Sequence, residues 1–93
     1  MLFMYIHTHS VEKCLADKPQ ETAKIMSSVQ EEAKKAGVKL LGTYLAPHEH
    51  TIYGICEADD VLKLERALRP MTIWGNARLI PVASAEEMAA AMR

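Results

Sequence analysis

Apolar side chains fall along this chain in two rhythms. From Leu2 to His9 they are aromatic, branched or long, end at the polar Ser10, and predict a strand. Ser10 to Gln20 is mixed and holds Pro19, which predicts a loop or irregular turn. From Glu21 to Ala36 the rhythm changes. Ile25, Met26, Val29, Ala33 and Ala36 recur at helical spacing with Lys and Glu between them, and Gly37 marks a C-terminal stop. Val38 to Ala46 reads as a second strand and Thr51 to Glu57 as a third, joined by Pro47-His48-Glu49-His50, a polar connection of hairpin length. Asp59 or Asp60 can cap a second helix with Val61, Leu64 and Leu68 on one side, ended by Pro70. Thr72 to Val82 holds a fourth strand, bent or bulged near Gly75-Asn76. Ser84 followed by Glu87 is a capping box, opening a last short helix on which Met88 and Met92 share a face.

The order β-α-β-β-α-β plus a terminal helix predicts an α+β, ferredoxin-like split βαβ domain over residues 1–93, with a core of 1–83 and a C-terminal helix at 84–93. Right-handed crossovers place both main helices on one face of a four-stranded antiparallel sheet. The strands are nevertheless apolar on both faces. Leu2, Met4 and Ile6 point one way, and Phe3, Tyr5, His7 and His9 the other. Leu41 and Leu45 oppose Val38, Leu40, Tyr44 and Ala46 in the same manner. The second face needs a cover, and a homodimer that buries Phe3, Tyr5 and Tyr44 is the expected one. The terminal helix is the competing cover, although Ala85 to Met92 offers little beyond alanines and two methionines.

Composition narrows the function classes. The chain has 93 residues, with 11 basic against 12 acidic and a net charge of -1, so no basic excess exists to neutralise a phosphate backbone. Nucleic acid is not expected as a partner. The apolar start Met1–Ile6 is too short for a membrane span and lacks a basic n-region, so no membrane association and a cytoplasmic location are expected. In that compartment Cys14 and Cys56 are expected as free thiols, with thiol catalysis at Cys14 disfavoured because no histidine neighbours it in sequence.

Histidine carries the candidate chemistry. All four histidines fall in two alternating pairs, His7-Thr8-His9 and His48-Glu49-His50. Along a strand, positions i and i+2 lie on one side, roughly 6.6 Å apart. In the ferredoxin-like order the end of the first strand lies beside the start of the third, so His7, His9, His48 and His50 are expected to meet at that sheet edge. Neutral imidazoles suit divalent nickel, zinc or copper, and Glu49 or Glu12 could complete the shell. Two readings compete with a metal site: acid–base work on a small organic ligand, and solvated histidines with no chemical role. Tyr5, Tyr44, Trp74 and Arg78 are candidate pocket residues, with Arg78 able to meet a carboxylate. Glycine-rich phosphate loops, CxxC and HExxH are lacking.

The element order, the Met1-Leu2-Phe3-Met4 start and the Leu79-Ile80-Pro81-Val82 strand resemble the dimeric α/β-barrel superfamily. Phe3-Met4-Tyr5-Ile6-His7 is similar to the start of its small nickel-binding ferredoxin-like members, and the chain resembles muconolactone isomerase more distantly. The resemblance implies two sheets packed into a barrel. It implies nickel as the ion, or else an isomerase or cofactor-free monooxygenase reaction in the barrel cavity.

Overall fold

The computed structural model describes residues 1–15 and 17–93; Ala16, inside the predicted Ser10–Gln20 loop, lies outside the described residues. The elements are β1 (Leu2–Thr8), α1 (Pro19–Ala36), β2 (Lys39–Ala46), a single 3-10 turn (Pro47–Glu49), β3 (Thr51–Glu57), α2 (Val61–Thr72), β4 (Asn76–Val82) and α3 (Ala85–Ala91). The strands form one antiparallel sheet in the order β2-β3-β1-β4, with β1 and β3 in the middle. This is the expected α+β split βαβ arrangement.

Local chemistry explains the element ends. Gly37 takes the left-handed conformation at φ 74°, and the Val38 N–H then donates back to the Ala33 carbonyl at 2.8 Å, closing α1. Asp60 caps α2 by accepting from the Lys63 N–H at 2.9 Å, and Ser84 caps α3 by accepting from the Glu87 N–H at 3.0 Å. Pro70 does not end α2, contrary to expectation. It lies inside the helix, which runs on to Thr72. Its missing N–H costs one hydrogen bond, which burial of the neighbouring Met71 offsets.

The core lies between one sheet face and the two long helices. Phe3, Tyr5, His7, Ile52 and Cys56 meet Val29 and Ala33 of α1 and Leu64, Ala67, Leu68 and Met71 of α2. Strict alternation along β1 buries Phe3, Tyr5 and His7, while Leu2, Met4 and Ile6 stay half-exposed on the other face. Leu64 and Leu68 are essentially fully buried, and each contributes about 2 kcal/mol.

Two expectations need correction. The sheet is open and does not curl into a barrel: β2 and β4 end it as separate edges. Phe3 and Tyr5 do not face a partner sheet either, because both are buried beneath the helices. Tyr44 pairs with Tyr53 whereas Tyr5 pairs with Gly54, the next residue, so the two tyrosines lie on opposite faces. No residue of α3 is buried. Among the described residues, no helix is long and apolar enough to cross a membrane.

Candidate metal centre

The antiparallel register of β1 and β3 builds the site. Thr8 pairs with Thr51, and one step further the His9 N–H donates to the His50 carbonyl at 3.2 Å. The rung beyond the sheet therefore sets two imidazoles side by side, with ring centroids 5.5 Å apart and an edge-to-face angle of 75°. The connection before β3 aims the second ring. Pro47 starts the 3-10 turn, the His50 N–H donates to the Pro47 carbonyl, and Thr51 Oγ1 donates to the Glu49 carbonyl at 2.9 Å. His50 then sits at φ 51°, a left-handed conformation that a non-glycine residue adopts at a cost of about 1 kcal/mol.

The third donor comes from the segment after β1. Ser10 opens a turn in which the Lys13 N–H donates to the Ser10 carbonyl and the Cys14 N–H to the Val11 carbonyl. Trp74 Nε1 donates to the Lys13 carbonyl at 2.6 Å and pins the loop from across the fold. Thr22 Oγ1 donates to the Leu15 carbonyl at 3.0 Å and holds its far side. Between these anchors the Cys14 thiol reaches the histidines: one donor atom each from His9, Cys14 and His50 lie within 4.8 Å of one another.

A second layer backs them. His7 is fully buried, and its Nε2 and the Met71 carbonyl are 3.2 Å apart. The indole of Trp74 stacks on His9 at 4.7 Å and 18° and sits 4.8 Å from His7. Gly75 allows this closeness. A Cβ there would strike the Thr8 carbonyl oxygen and come within 2.7 Å of His7 Nε2 and 3.1 Å of the His9 Cβ.

The donor set fits a metal ion on its own chemistry. Both ring nitrogens of His9, Nδ1 of His50 and Nδ1 of His7 are buried without a hydrogen-bond partner. Such groups cost about 1–3 kcal/mol each when unsatisfied, and an ion bound by His9 and His50 relieves one nitrogen on each of those two rings. Bond lengths of about 2.0 Å to nitrogen and about 2.3 Å to sulfur put tetrahedral donors roughly 3.5 Å apart. Closing the observed triangle onto an ion takes side-chain rotation of about an ångström. Burial pushes the His9 imidazole below its ordinary value, and His50 adds to that. Burial also lowers His7, helped by His9 and opposed by the Met71 carbonyl. Both rings are thereby biased to the neutral form that binds metals.

Two clefts open beside the donors. One, of about 530 Å³, is lined by Thr8, His9, Ser10, Lys13, Trp74 and Asn76 among others. The second, of about 470 Å³, is reached by all three donors and walled by Leu15, Leu45, Ile52 and Trp74.

Of the histidines expected together, the fold brings His7, His9 and His50 into one cluster. His48 stands exposed on the 3-10 turn, outside the converging group. Glu49 accepts from the Tyr53 hydroxyl at 3.1 Å, and Glu12 is exposed. Trp74 lines both clefts; Tyr5, Tyr44 and Arg78 line neither. Tyr5 is buried with its hydroxyl 3.2 Å from Thr43 Oγ1, and Arg78 is exposed on the face away from the helices, paired with Ile6. Cys14 is the donor that spacing missed, since its segment carries no regular pattern. Cys14 and Cys56 are both free thiols.

Comparison with known proteins supports the fold. The solved structure of SCO4226 from Streptomyces coelicolor A3(2) superposes with a TM-score of 0.62 at 16% identity, covering 90% of this chain and 100% of that one. A candidate transposase from Deinococcus radiodurans R1 superposes with a TM-score of 0.59 at 11% identity, covering 99% of this chain and 86% of that one. No curated protein matches the chain. Neither of these two structures is described as a nickel-binding protein or an isomerase, so the resemblance to those two groups is not upheld, and the preference for nickel, which rested on it, goes with it. The profile of DUF3303, a domain of unknown function, matches residues 1–93, and the chain belongs to that family.

Proposed function

We propose that the protein binds one divalent transition ion through His9, Cys14 and His50, with a fourth position open to the apolar cleft. The observation that carries this reading is the convergence of two imidazoles and a thiol whose histidine nitrogens have no other partner. Two nitrogens and one soft sulfur favour zinc, which takes mixed donors with no geometric demand from its d electrons. Three protein ligands with one open position is the pattern of a site that exchanges ligands, whereas structural zinc sites are closed by four. His7 and Trp74 position His9 from behind.

Titrating the apoprotein with zinc against a chromophoric indicator tests this. One ion per chain is expected, with affinity falling at least about 100-fold in His9→Ala, Cys14→Ser and His50→Ala and unchanged in His48→Ala. Stoichiometric binding that survives Cys14→Ser and His50→Ala would refute the site.

We also propose that a second copy covers the uncovered sheet face. Met4, Ile55 and Ile80 form an apolar row across that face, with Ile6 and Arg78 in the next row, and no residue of α3 is buried. Sedimentation should return the mass of two chains, and Ile6→Lys should return one. A wild-type mass of one chain refutes this assembly.

A further inference from the structure

The cleft beside the three donors is unusual in what it lacks. Among its described lining residues there is no Asp, Glu, Lys or Arg. Its threonine hydroxyls already donate to backbone: Thr22 to the Leu15 and Lys18 carbonyls, Thr51 to the Glu49 carbonyl. Its polar pole is therefore the His9–Cys14–His50 group, and Leu15, Leu45, Ile52 and Trp74 supply apolar walls. A volume of about 470 Å³ is that of a small-molecule site.

Charge then selects the ligand. A divalent ion with one thiolate and two neutral imidazoles carries a net charge of +1. A monoanion in the fourth position brings the centre to neutrality in a cleft whose described lining holds no charged side chain to balance a residual charge. A dianion overshoots and an amine is repelled. A thiol is mostly protonated at neutral pH, whereas a carboxylic acid is fully ionised. We propose that the cleft takes a small monocarboxylate with an apolar body, one carboxylate oxygen completing the ion's coordination and the body lying along Leu15, Leu45, Ile52 and Trp74. This rests on the metal reading above and adds the class of ligand.

Cobalt(II) separates the two. Loading the apoprotein with cobalt should give a thiolate-to-metal charge-transfer band that Cys14→Ser removes; its absence overturns both the centre and the ligand assignment. Octanoate added to the cobalt protein should shift the visible d–d bands saturably, binding at least tenfold more tightly than acetate. Octylamine and 1-octanol should leave those bands in place. Leu45→Glu alters an exposed residue that donates nothing to the ion; it should keep the charge-transfer band and weaken octanoate at least tenfold. With the charge-transfer band present, the ligand proposal alone is overturned by either of two results: octanoate binding no tighter than acetate, or octanoate binding apoprotein as tightly as metalloprotein.

Discussion

Gly75→Ala should damage fold and metal site together, by an amount the local geometry sets. Gly75 has no positive φ, so glycine is required there for space rather than conformation. An alanine Cβ would overlap the Thr8 carbonyl oxygen, a backbone atom that cannot swing away. It would also sit 2.7 Å from His7 Nε2, about 0.8 Å inside the roughly 3.5 Å at which such atoms rest. The chain can respond by lifting the start of β4 from β1 at the Thr8–Asn76 pair, or by pushing His7 off the Met71 carbonyl. Either response loses a hydrogen bond worth about 1 kcal/mol, and overpacking adds about 1–3 kcal/mol. Lower entropy of the unfolded chain returns about 0.4–1 kcal/mol. The net is a loss of about 2 kcal/mol, a fall of roughly 1–2 M in urea midpoint for a protein of this size. His9 is pushed as well, since its Cβ would lie 3.1 Å from the new methyl, so zinc affinity should fall about tenfold or more.

Urea unfolding and zinc titration of the same preparation read both effects, with Gly37→Ala as the control. Gly37 has φ 74° and nothing within 4 Å of a built Cβ, so its alanine variant pays only for conformation, about 1 kcal/mol, and keeps wild-type zinc affinity. If Gly75→Ala unfolds with wild-type zinc affinity and midpoint, the close approach of β4 to the histidines does not hold the site. If Gly37→Ala weakens zinc as much, the effect is global destabilisation.

Cys14 in apoprotein should react with a thiol reagent in seconds to minutes and be protected by stoichiometric zinc, while buried Cys56 reacts only on unfolding; equal rates for the two thiols would contradict the placement. Burial pushes the Cys56 thiol up to about 11, so the folded state holds a proton the unfolded state gives up near 9. The stability this provides is complete below pH 9 and is lost as pH rises towards 11, a fall of about 2–3 kcal/mol that Cys56→Val should remove from the denaturation profile. His50→Gly relieves the left-handed strain at φ 51°, so apoprotein stability should stay within about 1 kcal/mol of wild type while zinc binding is lost; parallel loss of both would mean the ring is structural.

The split βαβ order was legible because each element carries its own local signal. The α1 stripe, the Gly37 stop, the Asp60 and Ser84 caps and the alternation in β1 all act within a few residues, and each reappears in the structure. The direction of each strand face was not legible. Phe3, Tyr5 and His7 alternate with Leu2, Met4 and Ile6, and both sets are apolar enough to be core. Only the packing of α1 and α2 decides between them, by seating Val29, Leu64 and Leu68 against the first set. Burial beneath the helices overturns the placement of Phe3 and Tyr5 on the uncovered face, and open edges at β2 and β4 overturn the barrel.

At the site, the division between legible and hidden follows from how each donor is held. His9 and His50 are joined by register: once β1 and β3 pair, the rung beyond Thr8 and Thr51 must bring these two residues together. His48, two residues before His50, would share its side only if the strand continued through the connection. The 3-10 turn at Pro47 breaks that parity and leaves His48 in solvent. Cys14 follows no period, because its position depends on Trp74 donating to the Lys13 carbonyl from 61 residues away. That same indole stacks on His9, so one side chain fixes the loop donor and the strand donor relative to each other. A site assembled this way has two candidate donors set by the sheet and a third on a loop anchored at Lys13 and Leu15. A closed four-ligand shell would need a fourth donor on that side, where the structure instead opens an apolar cleft. In the proposed centre the fourth position falls to whatever enters the cleft, the pattern of a site that exchanges a ligand rather than one that only staples a fold.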